Sequence, residues 1–228
     1  MNGSSVTPPA HHVKTTRQYN APRRAEQAAR TRQAILDAAR EMFVTHGYTA
    51  STIAEVAARA EVAVDTIYAT IGRKPALMRE LVEAAISGTD HPVAADEREY
   101  VQRTIQATTA REKFAAYADG IVAIHRRLAP IFLSLRDAAA HDPNCAALWK
   151  EISERRAANM LRLAGDLRAT GEIRADLSDR QVADIIWTMN AAEYFDLLTQ
   201  RGWTPERIGG WLADAWARLL LISRAGST

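Results

Sequence analysis

The chain has 228 residues, of which 47% are hydrophobic, so it is long enough for one large domain or two small domains with a true core. Cys145 is the single cysteine, which excludes an internal disulfide and fits a reducing cytoplasm. The sequence contains neither a signal peptide nor a run of about eighteen apolar residues, so we expect a cytoplasmic protein with no membrane partner.

The formal net charge of +2 is unevenly distributed. Residues 1 to 32 carry six basic side chains against Glu26 alone, a formal charge of +5, and the remainder carries −3. Such a segment could follow a phosphate backbone, although a solubilising tail would have the same charge. Residues 1 to 28 are predicted to form a disordered basic arm, because their first part is polar, contains several prolines and lacks apolar periodicity.

The first predicted helix runs from about residue 24 to residue 45, and Gly47 ends it. Its apolar residues recur at the spacing that places them on one face, against which later helices can pack. These inward residues are Ala34, Ile35, Ala38, Ala39, Met42 and Phe43.

Two short helices joined by a tight turn are predicted between residues 52 and 74. Thr52 and Glu55 have the spacing of a capping box at the start of the first helix. Residues 61–63 form the turn, and Gly72 can supply the left-handed conformation that ends the second helix. The expected inward residues are Ile53, Val56, Ala57 and Ala60, then Ile67, Tyr68 and Ile71. This pattern is typical of a helix-turn-helix, whose second helix lies in the DNA major groove, but an ordinary helical hairpin also fits it.

A fourth helix is predicted to open at Arg73, Lys74 and Pro75 and to reach about residue 87. Residues 88–95 break the helical pattern and mark a domain boundary. The remainder is predicted to be helical throughout, with helices near 97–108, 111–128, 131–141, 143–170, 180–200 and 205–223.

Residues 31 to 81 resemble the DNA-binding domain of the TetR (tetracycline-repressor-like) family of bacterial regulators. The matching residues keep their order and spacing without a gap. They are Ile35, Ala38, Ala39 and Phe43, then His46, Gly47 and Tyr48, then Thr52, Ile53, Val56, Ala57, Val62, Thr66, Ile67 and Tyr68, and finally Lys74, Pro75, Ala76 and Leu77.

The resemblance implies an all-α fold with an N-terminal three-helix helix-turn-helix domain joined to a C-terminal helical bundle. We expect the DNA-binding domain at 29–89, with the helix-turn-helix at 52–71, and a domain for effector binding and dimerisation at 90–228. The implied function is a ligand-responsive repressor that binds a palindromic double-stranded DNA operator as a homodimer. A helical protein-interaction module and a constitutive DNA binder without an effector are the alternatives.

The resemblance also implies which residues touch DNA. Thr52, Tyr68 and Lys74 stand at positions that hold phosphates in the family, and Arg30 could reach a phosphate from near the start of the first helix. The expected base-facing residues are Val64, Asp65, Thr66, Ala69 and Thr70. None of them is Arg, Lys, Asn or Gln, the bidentate readers of guanine and adenine, so we predict a thymine-sensitive core site.

Three residues depart from the family pattern near the turn. Glu61 stands where glycine is common, Ala63 replaces the usual serine cap, and Ile71 stands where an aromatic residue is common. These departures affect the local geometry of the turn and leave the expected fold unchanged.

The C-terminal half is expected to hold an effector pocket and a dimer interface. The last predicted helix has one unbroken apolar stripe, whereas the helix before it is apolar on nearly all sides and must be buried on more than one side. The resemblance implies a dimer, because family members dimerise through their last two helices. Expected interface residues are Ile186, Met189, Leu197, Trp211, Ala215, Trp216 and Leu219. Expected pocket residues, aromatic walls with a few polar groups, are Phe132, Arg136, Trp149, Met160, Trp187, Asn190 and Tyr194.

Catalytic motifs are not found in the sequence. There is no glycine-rich phosphate loop, no nucleophile elbow, and no metal-ligand spacing of His-Glu-x-x-His or paired-cysteine type. We therefore expect neither an enzyme nor a cofactor or metal site.

Overall fold

Ten α-helices and one short 3-10 helix are present in the part of the chain that the structure, a computed structural model, describes: residues 21–88 and 94–222. The helices are α1 (Ala21–Thr45), α2 (Ile53–Arg59), α3 (Val64–Thr70), α4 (Lys74–Ser87), α5 (Glu99–Gln106), α6 (Ala110–Ala139), α7 (Pro143–Arg168), α8 (Asp179–Met189), α9 (Ala192–Gln200) and α10 (Pro205–Leu220), with the 3-10 helix at Ala95–Glu97. The fold is all-α, and within the described ranges the β pairing is an isolated bridge between Ile173 and Leu221.

The first four helices form the N-terminal unit, built on α1. Ile35 and Phe43 of α1, Val56 of α2 and Ile67 of α3 are fully buried in one hydrophobic core. Helix α1 begins at Ala21, three residues before the expected start near residue 24, so residues 21–28 of the predicted disordered arm are helical. Residues 1–20 of that predicted arm lie outside the described residues.

Helix α6 is the central element of the C-terminal part, and α4, α5, α7, α9 and α10 all pack against it. Trp216 of α10 is fully buried, with its ring centroid 6.1 Å from that of Phe114 and 5.8 Å from that of Tyr117 on α6. Burying aromatic side chains of this size provides much of the driving force for packing α10 onto α6.

Helix α6 corrects the expectation of two helices separated at Pro130. It runs unbroken through that proline. Proline removes one helical hydrogen bond and crowds the preceding turn, which ordinarily ends or kinks a helix. Here Pro130 is exposed, while its neighbours Ala129 and Ile131 are buried. The carbonyl left without a partner can therefore be hydrated, and burial on the opposite face keeps the helix continuous.

The region 180–200 departs from the prediction in the opposite way. Two helices, α8 and α9, are present where a single helix was expected. Helix α8 ends at Met189 with Asn190 as its C-cap, and α9 begins at Ala192. Asn190 is buried, and its backbone carbonyl and side chain bond to residues of α6 and α7. These partners stabilise the break, which a sequence pattern does not reveal.

Several bonds join the N-terminal unit to the C-terminal helices. The Ser134 hydroxyl donates to the Phe43 carbonyl at 2.8 Å, and the Arg127 guanidinium donates to the Ala85 carbonyl at 3.1 Å. The Tyr48 hydroxyl donates to the Asp142 carboxylate, at the start of α7, at 3.2 Å. No helix within the described ranges is long and apolar enough to cross a bilayer.

Candidate nucleic-acid interface and internal cavity

Helices α2 and α3 form the predicted helix-turn-helix, and the capping box at its start is confirmed. The Thr52 backbone N–H and hydroxyl donate to the Glu55 carboxylate at 2.7 and 2.8 Å, and the Glu55 N–H donates to the Thr52 hydroxyl at 3.2 Å. These hydrogen bonds lower the pKa of Glu55, so the carboxylate is ionised. The Thr52 hydroxyl is exposed but is already committed to this box.

The turn between α2 and α3 depends on a left-handed residue that is not glycine. Glu61 has a φ of 55°, the conformation in which a Cβ crowds the backbone. Ala63 caps α3 in an extended conformation but provides no side-chain hydrogen bond. Both departures from the resembled family therefore have a structural counterpart.

Helix α3 presents a largely exposed outer face. Ile67 is fully buried, but Tyr68 is 49% exposed, so the expectation that it packs inward is wrong. The proposed base-facing residues Val64, Asp65, Thr66, Ala69 and Thr70 are all exposed or partly exposed. Within this face Asp65 is the only charged side chain.

Two of the expected phosphate contacts are basic residues with intramolecular partners. Lys74 is partly buried, with its Nζ 4.2 Å from the centroid of the Tyr48 ring, and burial lowers the pKa of its ammonium group. Arg30 is exposed on α1, 3.8 Å from Glu26 one turn earlier. Because Lys74 is only partly buried and Arg30 is exposed, both charged groups can reach a phosphate of a bound duplex.

The expected dimer residues divide into two groups. Ile186, Ala215 and Trp216 are buried inside their own chain and are not available to a partner in this conformation. Leu197, Trp211 and Leu219 are 61%, 41% and 45% exposed, and Met189 is partly exposed. The exposed group lies on α8, α9 and α10 and leaves apolar surface uncovered.

A cavity of about 770 Å³ that is partly open to solvent lies among α4, α5, α6 and α7. Its apolar wall includes Ile86, Tyr100, Val101, Ile105, Ile121, Ile124, Leu128, Ile152 and Leu163. Its polar lining includes Glu83, Thr104, Tyr117, His125, Arg155, Arg156, Asn159 and Asn190. A volume of this size and a mixed lining suit a small organic ligand.

A buried hydrogen-bond network occupies one end of the cavity, centred on Asn190. Its amide nitrogen donates to the Tyr117 hydroxyl at 2.6 Å, and its side-chain oxygen accepts from Arg156 at 2.6 Å. The His125 Nε2 donates to the Asn190 carbonyl at 2.8 Å, because a carbonyl can only accept. Burial lowers the pKa of His125 to about 4, so the ring is neutral near pH 7.

Only part of the expected pocket coincides with this cavity. Met160 and Asn190 line it, whereas Phe132, Arg136, Trp149, Trp187 and Tyr194 do not. Phe132 stacks on Trp149 with centroids 4.4 Å apart, and the Tyr194 hydroxyl accepts from Trp211 at 2.7 Å. Trp187 packs against Arg156 behind the cavity wall, and Arg136 pairs with Asp137 and Glu193.

Sequence reasoning missed Arg156, although a signal was present. It stands on α7 four residues after Ile152 and four before Met160, both buried, so a charged side chain interrupts an apolar stripe. Glu83, Tyr117 and Arg155 were also missed, because only tertiary contact brings α4, α6 and α7 together.

Known proteins resemble this chain in two ways, because a family model matches its N-terminal helices and solved structures match most of its length. Residues 35–85 match the family model described as bacterial regulatory proteins, tetR family. No curated protein sequence matches the chain. A solved structure similar to this chain is the SmeT–triclosan complex, at 18% identity and a TM-score of 0.66, covering 87% of this chain and 96% of that chain.

Two further solved structures share the fold. MbdR from Azoarcus sp. CIB is 20% identical, with a TM-score of 0.64 over 84% of this chain and 100% of that chain. The fatty acid degradation regulator FadR from Bacillus halodurans is 17% identical, with a TM-score of 0.65 over 82% of this chain and 94% of that chain. The segment that matches the tetR family model contains both helices of the helix-turn-helix, and the solved structures share the all-α fold over most of the chain.

Proposed function

We propose that this protein is a DNA-binding transcriptional repressor that acts as a homodimer and is released from its operator by a small organic effector. The observation that carries the proposal is the position of α4. Its first residue, Lys74, follows the recognition helix closely, and its last two turns supply Glu83 and Ile86 to the cavity wall. One helix therefore touches both the DNA-binding unit and the effector cavity.

The DNA side of the proposal rests on α3 and its surroundings. Tyr68, Lys74, Thr52 and Arg30 would bind phosphates, which sets the register of the protein on the duplex. The exposed face of α3 offers two threonine hydroxyls, methyl groups and the Asp65 carboxylate. Methyl groups suit thymine and a carboxylate can accept from cytosine, so a thymine-sensitive core site is the expected target.

The dimer side rests on the exposed apolar group of Met189, Leu197, Trp211 and Leu219. Burying these side chains against a second copy would remove apolar surface from water. Two recognition helices would then lie in successive major grooves of a palindromic operator.

The release mechanism is a population shift between two dimer geometries. A ligand in the cavity would contact α4 directly, and α4 is also tied to α7 by Arg79–Glu151 and Arg155–Glu83, both at 2.8 Å. A ligand that binds more tightly to the geometry in which the recognition helices no longer match the groove spacing would lower operator affinity. The triclosan complex of SmeT, which shares the fold, supports a small-molecule site in this architecture.

Site selection on random DNA with the purified full chain tests the DNA-binding part, followed by gel shifts of the selected duplex over a salt series. We expect a palindrome with thymines essential at the core, and a log–log salt slope that falls by about 0.9 for each phosphate neutralised. Lys74→Met should weaken binding to all sequences and make the slope shallower by about one.

Lys150→Met is the matched control, because Lys150 is an exposed lysine on α7, away from the helix-turn-helix. Its slope should equal that of the wild type. Guanines essential opposite α3 would refute the thymine reading. No enriched sequence and a shallow slope would leave a helical interaction module.

A further inference from the structure

A partly buried guanidinium in the cavity wall has only neutral partners. Arg156 Nη2 donates to the Asn190 side-chain oxygen at 2.6 Å and to the carbonyls of Trp187 and Asn190 at 3.2 and 3.3 Å. Among the described residues no ion pair includes Arg156, and its Nε and Nη1 make no hydrogen bond. The group therefore keeps donors for a further acceptor.

The surrounding charges do not neutralise Arg156. Burial lowers the pKa of its guanidinium, and the nearby Tyr117 and Glu193 raise that pKa by less. Glu193 is itself held by Arg136 at 3.4 Å. Because a guanidinium stays protonated in proteins, Arg156 places a positive charge at the cavity with which no carboxylate of the described residues forms an ion pair.

The adjacent arginine in the same wall differs from Arg156, because it has an acidic partner. Arg155, the neighbouring residue, is paired with Glu83 at 2.8 Å, so its charge is already compensated within the protein. The contrast between two adjacent arginines in one wall suggests that Arg156 does more than bond to Trp187 and Asn190. A partly buried cation without an anion has lost part of its hydration, which the anionic group of a ligand would offset.

The rest of the cavity offers an apolar surface beside that charge. Ile152 and Met160 flank Arg156 on α7, and Ile121, Ile124 and Leu128 of α6 form part of the same lining. A ligand suited to this wall has a charged head and an apolar body.

We propose that the cavity binds an amphipathic carboxylate whose carboxylate group pairs with Arg156 and whose apolar body lies along α6 and α7. A carboxylate matches the planar fork of donors on a guanidinium, and such charge-assisted bonds are strong in a low-dielectric site. The inference rests on the proposed function only in treating this ligand as the effector.

Isothermal titration calorimetry of the full chain, without DNA, tests the binding. The probes are decanoate and decan-1-ol, which share an apolar chain and differ in the head group. We expect the wild type to bind decanoate more tightly than decan-1-ol. Arg156→Met should weaken decanoate binding by about ten- to a hundredfold and leave decan-1-ol affinity within about threefold. Lys150→Met removes a cation from the same helix outside the cavity and should bind both probes as the wild type does.

Arg156→Lys separates a lost charge from a collapsed cavity. If Arg156→Met bound neither probe, Arg156→Lys would decide between these causes. Decanoate binding by Arg156→Lys would support the pairing, whereas binding of decan-1-ol without binding of decanoate would overturn it. The inference also fails if the wild type binds no decanoate, prefers decan-1-ol, or is unaffected by Arg156→Met. A gel shift with decanoate then tests the effector role separately, since decanoate could bind without changing operator affinity.

Discussion

At the scale of single residues, Glu61 is a strained position in the turn of the helix-turn-helix. With a φ of 55° it holds a conformation that costs a residue with a Cβ about 1 kcal/mol relative to glycine. Glu61→Gly should therefore raise the free energy of unfolding by about 1 kcal/mol in urea denaturation. Glu61→Ala removes the same carboxylate but keeps the Cβ, so it should bring no comparable gain. Equal gains in the two variants would show that charge, and not backbone conformation, is the cause.

The role of a residue can be predicted from the sequence when its partners are near it in the chain, and not when they are distant. The capping box of Thr52 and Glu55 is a local pattern, and it is present as expected. Arg156 gave only an indirect signal, because its significance depends on α6 and α8 residues distant along the chain. Asn190 was expected in a pocket, but its role in stabilising a helix break was not.

At the scale of helices, prediction succeeded where capping residues decide and failed where packing decides. Asp142, Ser178 and Thr204 cap α7, α8 and α10, which begin close to the expected residues 143, 180 and 205. Pro130 suggested a break that burial of its neighbours prevents. The break between α8 and α9 has no proline or glycine to announce it, because tertiary hydrogen bonds stabilise it.

His125, which bonds to the Asn190 carbonyl at this break, should make the free energy of unfolding depend on pH. Burial lowers its folded pKa to about 4, against about 6.5 when unfolded, and Arg156 opposes protonation further. The unfolded chain binds more protons between these values, so this contribution is present above about pH 6.5 and is lost as the pH falls towards 4. Over that range the wild type should lose on the order of 3 kcal/mol relative to His125→Gln, measured by urea unfolding at each pH.

His141→Gln is the control for that measurement, because His141 is an exposed histidine at the end of α6, outside the Asn190 network. It should follow the wild type throughout. If His125→Gln instead loses stability on acidification as steeply as the wild type does, the neutral ring at the helix break is not the source of the pH dependence.

At the scale of the whole molecule, the surface formed by α9 and α10 should decide whether two chains associate. Leu197 is 61% exposed, so Leu197→Glu should leave the fold of each chain intact. Placed in a dimer interface, the same charge would be desolvated without a partner and should weaken association by about a hundredfold or more. Sedimentation equilibrium should then show monomers at concentrations where the proposed wild-type dimer is expected.

Operator binding should fail together with dimerisation, because a monomer offers one recognition helix to a two-fold site. Leu161→Glu provides the comparison, since Leu161 is an exposed leucine, 45% accessible, on α7 and outside the proposed interface. This variant should remain dimeric and keep its operator affinity. If Leu161→Glu dissociated the dimer while Leu197→Glu did not, the second copy would have to pack on α7, and the apolar surface of α9 and α10 would need another partner.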